Sequence, residues 1–405
     1  MRVLALVAGL SFLTTSATTH AQVSPADTGN TSGPVRAAPS STPVRSGLVP
    51  TIKPRVELVF ALDTTGSMGG LIDGAKRKIW AIANEVASAK EQPDVRIGLV
   101  AFRDRGDDYV TKVVPLTDNL DAVYEQLMGF SANGGGDGPE DVNGALHDAV
   151  HTMQWSQDKG TLKMIFLVGD APPHTDYQGQ VQWQQTAKIA NRKHIIINTV
   201  QCGSDDTTTT AWKHIAYAAE GRYALLPQDG GVKVAVATPY DAELSRLASE
   251  LDATNVTYGR RDERERKVTT RKKAAELAAR APMASSADRA VVKGALGTGM
   301  KSSEDLVSLA EASGGAVMAL KQVSNEELPD ELKGKSETEQ KAIIEANQQK
   351  RQAIQTQITA LSKLRSAHLK SEAERAPSAA KKDGFDAEVA AIVKEKGKDV
   401  GLTYE

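Results

Sequence analysis

The stretch Val56–Gly70, "VELVFALDTTGSMGG", decides the fold. Apart from Glu57 its first half is an unbroken apolar run, the pattern of a strand buried on both faces rather than on one. The run stops at Asp63, and Thr64, Thr65, Gly66 and Ser67 follow before a helical pattern begins at Gly70. A carboxylate and three hydroxyls at the end of a core strand need partners once they leave water. Capping of the next helix would employ Asp63 by itself.

Downstream the same alternation recurs. A helical pattern to Lys90 precedes the strands "VRIGLVAF" and "YVTKVVPL". The helical patterns "NLDAVYEQLMGF" and "VNGALHDAVHTM" flank the loop "SANGGGDGPED". The apolar strand "LKMIFLVGD", the helix "VQWQQTAKIANRK", the strand "IIINTV", the helix "AWKHIAYAAEG" and the short strand "RYALLP" complete the series. Apolar strands separated by amphipathic helices predict an α/β domain over residues 55–230, a doubly wound, mainly parallel sheet with helices on both faces.

In such a sheet ligands sit beyond the carboxyl ends of the strands. Three loops there carry acids or hydroxyls. Asp63, Thr65 and Ser67 alternate, so one tight turn aims three oxygens at one point. Asp137 follows the glycines of "GGGDGPED", with Glu140 and Asp141 close by, and Asp170 ends its apolar strand as Asp63 does. Carboxylates gathered at a dry sheet end repel one another unless a cation neutralises them. A cap explains one loop; a metal explains three. All the donors are hard oxygens, which favours Mg²⁺, Mn²⁺ or Ca²⁺ over Zn²⁺. A phosphoryl-transfer hydrolase with an Asp nucleophile would place a second acid two residues on, where Thr65 stands, and neither a Ser/His/Asp set nor a phosphate-cradling glycine loop is present.

Asp63-Thr64-Thr65-Gly66-Ser67 resembles the Asp-x-Ser-x-Ser signature of von Willebrand factor A domains and their metal-ion-dependent adhesion site. The set "DTTGSM", "FRDRGDDYV", "GGGDGPEDVNGAL" and "GDAPPH" is closer to the branch seen in hemicentin-like proteins and in alpha-kinases that carry such a domain; no kinase segment is visible. The resemblance implies that Asp63, Thr65 and Ser67 hold a metal directly or through water and that Asp170 takes the third-loop position. Where the family usually has a second-loop Thr, this chain offers Asp137, expected to add an anionic ligand that tightens metal binding and weakens the cation's pull on a partner's carboxylate. The implied function is a non-enzymatic, cation-dependent module engaging a protein that presents an acidic residue. A metal-dependent envelope hydrolase or enzyme subunit, and a domain whose metal only supports the fold, are the alternatives.

The flanks differ in character. Residues 1–21 combine Arg2, an apolar run from Val3 to Leu13 and small residues through Ala21, the layout of a secretory signal peptide, too short to span a bilayer. This places the mature protein in the periplasm or outside the cell. Residues 22–54 are rich in Ser, Thr, Pro and Gly and read as a disordered linker. Residues 231–405 read as a mainly helical region in which Ile354, Ile358, Leu361 and Leu364 share one helical face, expected to pack on its own domain or on a partner rather than stand as a free coiled coil, with oligomer formation as a further use. The mixed-charge run near Arg260 reads as a solvated helix face. With 49 basic against 51 acidic residues in 405, no net field draws the chain to nucleic acid or anionic lipid. The lone Cys202 excludes an internal disulfide and reads as buried filler. Arg105-Gly106-Asp107 reads as a turn rather than an adhesion ligand, His174 as a solvent-exposed loop residue at the rim, and Trp80, Trp183 and Trp212 as core.

Overall fold

The computed structural model describes residues 53–136, 138–226, 237–296, 304–375 and 385–404. The expected signal peptide, nearly all of the linker and Asp137 lie outside them. The chain runs β1 (Arg55–Asp63), a 3-10 turn (Gly66–Gly70), α1 (Ile72–Ala87), β2 (Asp94–Phe102), β3 (Thr111–Thr117), α2 (Leu120–Gly129), α3 (Val142–His151), β4 (Thr161–Gly169), α4 (Trp183–Arg192), β5 (Ile195–Cys202), α5 (Asp206–Ala218) and β6 (Tyr223–Leu226). The helices α6 (Asp241–Asp252), α7 (Arg261–Arg280), α8 (Met283–Leu296), α9 (Leu306–Ser313), α10 (Ala316–Leu320), α11 (Glu337–Arg375) and α12 (Phe385–Lys398) follow.

The strands form one sheet in the order β3-β2-β1-β4-β5-β6, parallel except for β3. Buried runs of β1 send Val56, Leu58, Phe60 and Leu62 to one face and Val59 and Ala61 to the other. Residues of α1, α2 and α12 cover the first face, and residues of α3, α4 and α5 the second. Period-two alternation within an all-apolar strand is what lets a single sequence feed two cores. Because β2 and β4 flank β1 on opposite sides, the switch point of the sheet lies beyond the carboxyl ends of β1 and β4, where Asp63 and Asp170 stand.

The C-terminal helices pack on this domain and on each other. Val389, Ile392, Val393 and Leu402 join the α1 core. Lys293 of α8 is fully buried, donates to both carboxylate oxygens of Asp121 on α2 (3.0 and 3.2 Å) and pairs with Asp252 of α6; Arg289 also pairs with Asp121. On α11, Ile354 and Ile358 are buried against Leu244, Leu247 and Leu251 of α6, and Leu361 packs beside them. Leu364 departs from the expected face: it is 50% exposed, and Arg365, one residue on and in register with Ile354, is buried instead, held by Asp241 (2.8 Å) and Asp288 (2.7 Å). The apolar stripe of α11 thus packs on helices of the same chain, one of the two uses expected of it.

Among the described residues no helix is long and apolar enough to cross a membrane. Trp80 and Trp212 are buried, Trp183 packs against the second core, and Cys202 is a buried thiol whose pKa burial raises. On α7 only Arg264 and Ala274 are buried.

Candidate metal centre

Asp63 is fully buried where β1 ends. Its Oδ1 accepts from the Thr65 backbone N–H (2.9 Å) and the Thr65 hydroxyl (2.6 Å). Thr65 Oγ1 lies 3.1 Å from Ser67 Oγ, and Ser67 donates to Asp170 Oδ1 at 2.9 Å. One continuous chain of oxygens therefore joins the first and third loops, bringing together four of the five residues expected to ligate. The fit requires Gly169: a Cβ there would stand 2.6 Å from the Cβ of Asp63 and 2.8 Å from its Oδ2.

The second loop closes over this chain. Gly66 N donates to Gly134 O (3.0 Å) and Asn133 N to Thr64 O (3.0 Å). Gly134 and Gly135 have φ of +74° and +78°, which side chains disfavour. Gly135 also leaves space that Glu140 uses: a Cβ at this glycine would lie 3.2 Å from Glu140 Oε1 and 3.4 Å from Thr65 Cβ. Glu140 is 2% exposed and lines the same cleft as Ser67 and Asp170. Its backbone is fixed by Pro172 O (3.0 Å) and by His174 N (3.2 Å). Asp141, its neighbour, serves differently, capping α3 by accepting from Gly144 N at 2.7 Å.

Glu140 is the site residue that sequence reasoning did not single out. The one sign was a second acid beside a helix start that needs only one cap. His174 also differs from expectation. It is buried, stacked on Tyr177 with ring centroids 4.0 Å apart, with Nδ1 2.8 Å from Asp176 and Nε2 3.5 Å from Asp104. Tyr177 covers it by donating to Asp104, a residue from the distant β2–β3 connection (2.6 and 2.7 Å), and Arg105 lies over the Tyr177 ring at 4.0 Å. Asp107 holds the glycine loop by accepting from Gly135 N at 2.9 Å, so Arg105-Gly106-Asp107 is a turn with a structural task.

Burial pushes the Asp63 carboxyl up to about 7, its Thr65 hydrogen bonds opposing and the Asp170 charge adding to the rise. Burial, then the charges of Asp63 and Asp104, lift Glu140 to about 9, and burial raises Asp170. Two oxygens, Asp63 Oδ2 and Glu140 Oε2, are buried with no hydrogen-bond partner. Buried carboxylate oxygens without donors are costly, and a hard cation satisfies such atoms. Among the described residues no three His, Cys, Asp or Glu side chains converge as a metal set by themselves. A cation here therefore draws on the Thr65 and Ser67 hydroxyls as well as the carboxylates, and that mixed donor set suits Mg²⁺, Mn²⁺ or Ca²⁺.

A family model described as von Willebrand factor A domain matches residues 57–236. A human protein named von Willebrand factor A domain-containing protein 7 is 37% identical over 123 residues, 30% of this chain and 12% of that protein. An alpha-protein kinase of Dictyostelium discoideum, vwkA, is 29% identical over 126 residues, 30% of this chain and 19% of the kinase. The chain thus spans less than a fifth of the length of these relatives. Among solved structures it is similar to the SpRpn10 VWA domain (15% identity, 43% of this chain, 89% of that one, TM-score 0.34). It is also similar to the pilus adhesin SpaC from Lactobacillus rhamnosus GG (16% identity, 44% of this chain, 29% of that one, TM-score 0.35).

Proposed function

We propose, from the premise that the chain carries a von Willebrand factor A domain at residues 57–236, that this domain is a divalent-cation-dependent protein-binding module acting outside the cytoplasm. The observation that carries the reading is the pair of buried, unpartnered oxygens, Asp63 Oδ2 and Glu140 Oε2, beside one chain of hydroxyls at the switch point of the sheet. Asp63, Thr65, Ser67, Glu140 and Asp170 would hold Mg²⁺, Mn²⁺ or Ca²⁺, and Asp137 would add a ligand from the same loop as Glu140. When bound, the cation supplies positive charge and an exchangeable position for an oxygen ligand.

The chain's own groups set what that position accepts. Ser67 and Asp170 line the open cleft, while Asp63 and Thr65 lie beneath them, so the partner's group approaches from the Ser67 side. That group is an Asp or Glu carboxylate on another protein. A third carboxylate from Glu140 lowers the net positive charge it meets, which makes engagement weaker and more readily reversed than a second loop of hydroxyls alone would give. The module binds rather than catalyses. The signal-like residues 1–21 support export, and N-terminal sequencing of the mature protein is expected to begin near Gln22.

A pull-down from envelope extract with the full chain tests the reading. Partner capture is expected in Mg²⁺ and lost with EDTA, Asp63→Ala or Ser67→Ala, with the far-UV spectrum unchanged. Capture that survives EDTA overturns it, and metal-dependent turnover of phosphoesters moves the site to enzymes. Calorimetry separates the second-loop acids: Glu140→Ala is expected to weaken Mg²⁺ binding at least tenfold, about 1.4 kcal/mol, and unchanged affinity in Asp137→Ala removes Asp137 from the ligand set.

A further inference from the structure

The outer face of α3 carries a pair of histidines. His147 and His151 stand four residues apart in "HDAVH", the spacing that sets two side chains one turn apart on the same face of a helix. Their rings lie together, with centroids 4.4 Å apart and planes inclined by 20°. Both are open to solvent: the His147 side chain is 42% exposed, and His151 is exposed. His151 ends α3 and Glu140 lies just before its start, so the length of the helix, about 15 Å, separates the pair from the metal centre.

What each ring does with Nδ1 decides what its Nε2 can do. His151 Nδ1 lies 2.9 Å from the backbone carbonyl oxygen of His147. A carbonyl only accepts, so this nitrogen carries the proton, and in the neutral ring Nε2 carries the lone pair. His147 Nδ1 faces Asp148 Oδ1 at 3.4 Å, and the other oxygen of that carboxylate is fixed by the Thr111 hydroxyl of β3 at 2.7 Å. The same tautomer follows for His147. An oxygen that accepts from one imidazole nitrogen and leaves the other bare is the arrangement that orients histidine ligands on a metal. On each ring the bare nitrogen points away from the oxygen that holds Nδ1.

Two such nitrogens suit a borderline divalent ion such as Zn²⁺, Ni²⁺ or Cu²⁺, and suit hard Mg²⁺ or Ca²⁺ poorly. Bound to one tetrahedral ion they stand about 3.4 Å apart, and rings stacked at 4.4 Å reach that geometry by tilting about the soft Cβ–Cγ torsion. The ion would lie at the C-terminal turn of α3, where the helix dipole favours positive charge.

We propose that His147 and His151 form a second metal site, binding one Zn²⁺, Ni²⁺ or Cu²⁺ through both Nε2 atoms with water in the remaining positions, and that Asp148 is a positioning residue for His147. The same histidine spacing occurs in helical zinc hydrolases, where the acid after the first histidine is the general base. Here Thr111 engages Asp148, and among the described residues no group of three His, Cys, Asp or Glu side chains is placed to hold a metal. The site therefore lacks the third protein ligand of a catalytic zinc and binds an ion without hydrolysing a substrate. It does not depend on the cation or the partner proposed for the metal centre.

The test uses the full chain with Mg²⁺ in large excess, so that the metal centre is offered its own class of ion. Calorimetry is expected to show Zn²⁺ binding that weakens at least tenfold in His147→Gln and in His151→Gln. It should be unchanged in His214→Gln, which removes a single exposed histidine from α5. Cu²⁺ at a small fraction of the protein concentration is expected to broaden the imidazole resonances of His147 and His151, assigned by their loss in the two variants, before those of the other histidines. No Zn²⁺ binding at millimolar ion, wild-type affinity in either pair variant, or an equal loss in His214→Gln overturns the proposal. If one pair variant does not fold, the other variant and the Cu²⁺ broadening of the wild type still decide it, and broadening confined to other histidines counts against the site.

Discussion

Asp63→Asn is expected to make the metal-free protein more stable while abolishing its stabilisation by Mg²⁺. The folded state lifts this carboxyl from its ordinary 3.8 to about 7. A carboxyl whose folded pKa is raised contributes stability below its unfolded pKa, and that contribution is lost as pH climbs from about 4 toward 7. Three pH steps at about 1.4 kcal/mol each set a ceiling of about 4 kcal/mol on what the ionisable group costs the metal-free fold at neutral pH. The amide keeps the acceptor that Thr65 uses and places an N–H where Oδ2 has no partner, close to Asp170. Its own burial takes back about 1–3 kcal/mol, leaving a net gain of about 1–3 kcal/mol in EDTA at pH 7. In Mg²⁺ at a hundred times its Kd the wild type is expected to gain about 2.7 kcal/mol, and the variant nothing. Urea unfolding of both proteins, with EDTA or Mg²⁺, at pH 5 and pH 7, reads every quantity. The advantage of the variant should shrink at pH 5, where the wild-type carboxyl is protonated in the fold at less cost. A variant less stable than wild type in EDTA at pH 7, or one that Mg²⁺ still stabilises, refutes the reasoning.

Gly169→Ala is expected to lower stability by about 1–3 kcal/mol through overpacking, because the new methyl would meet Asp63 Cβ at 2.6 Å; thermal unfolding with and without Mg²⁺ should show the metal increment falling as well. Lys293→Ala leaves the carboxylate of Asp252 and part of that of Asp121 without a buried partner, so a loss of about 3–5 kcal/mol is expected in urea unfolding. Lys293 and Arg289 hold the Asp121 carboxyl below its ordinary 3.8 against the opposing effect of burial. The stability from this pairing is present above that value and disappears as pH falls through the depressed one, so an acid titration of Asp121→Asn should be flatter than that of wild type below about pH 4.

The sheet was legible because parallel strands covered on both faces are written as unbroken apolar runs, and "VELVFAL" and "LKMIFLVG" admit few other readings. Asp63 and Asp170 were legible for the same reason: each is the first polar residue after such a run, and the strand order sets them side by side at the switch point. Glu140 was obscured by local grammar. Its position beside Asp141 at a helix start accounts for acids without any ligand, and only the fold of the Gly134–Gly135 segment brings it against Thr65.

The other departures from expectation involve charges and polar groups that burial reclassifies. His174 reads as a solvent-exposed loop residue, and a charged residue on a helix, such as Lys293 or Arg365, is ordinarily solvated as well. Each is buried instead because it meets partners from far along the chain: Asp104 beside His174, Asp121 and Asp252 around Lys293, Asp241 and Asp288 around Arg365. A periodic stripe of apolar residues predicts that α11 has a buried face but not that Arg365 occupies the position after Leu361 on it. A guanidinium can take that place only if two carboxylates arrive there together, and no window of sequence around residue 365 contains either of them. The same physics links the domain to its helices: α8 is held against α2 by charges that cannot be left alone, so separating the helical region exposes or strands Asp121, Arg289 and Lys293 at once. Residues 57–236 expressed without residues 237–405 are therefore expected to be less stable than the same residues in the full chain, and Asp121→Leu should restore part of the difference by removing the stranded charge.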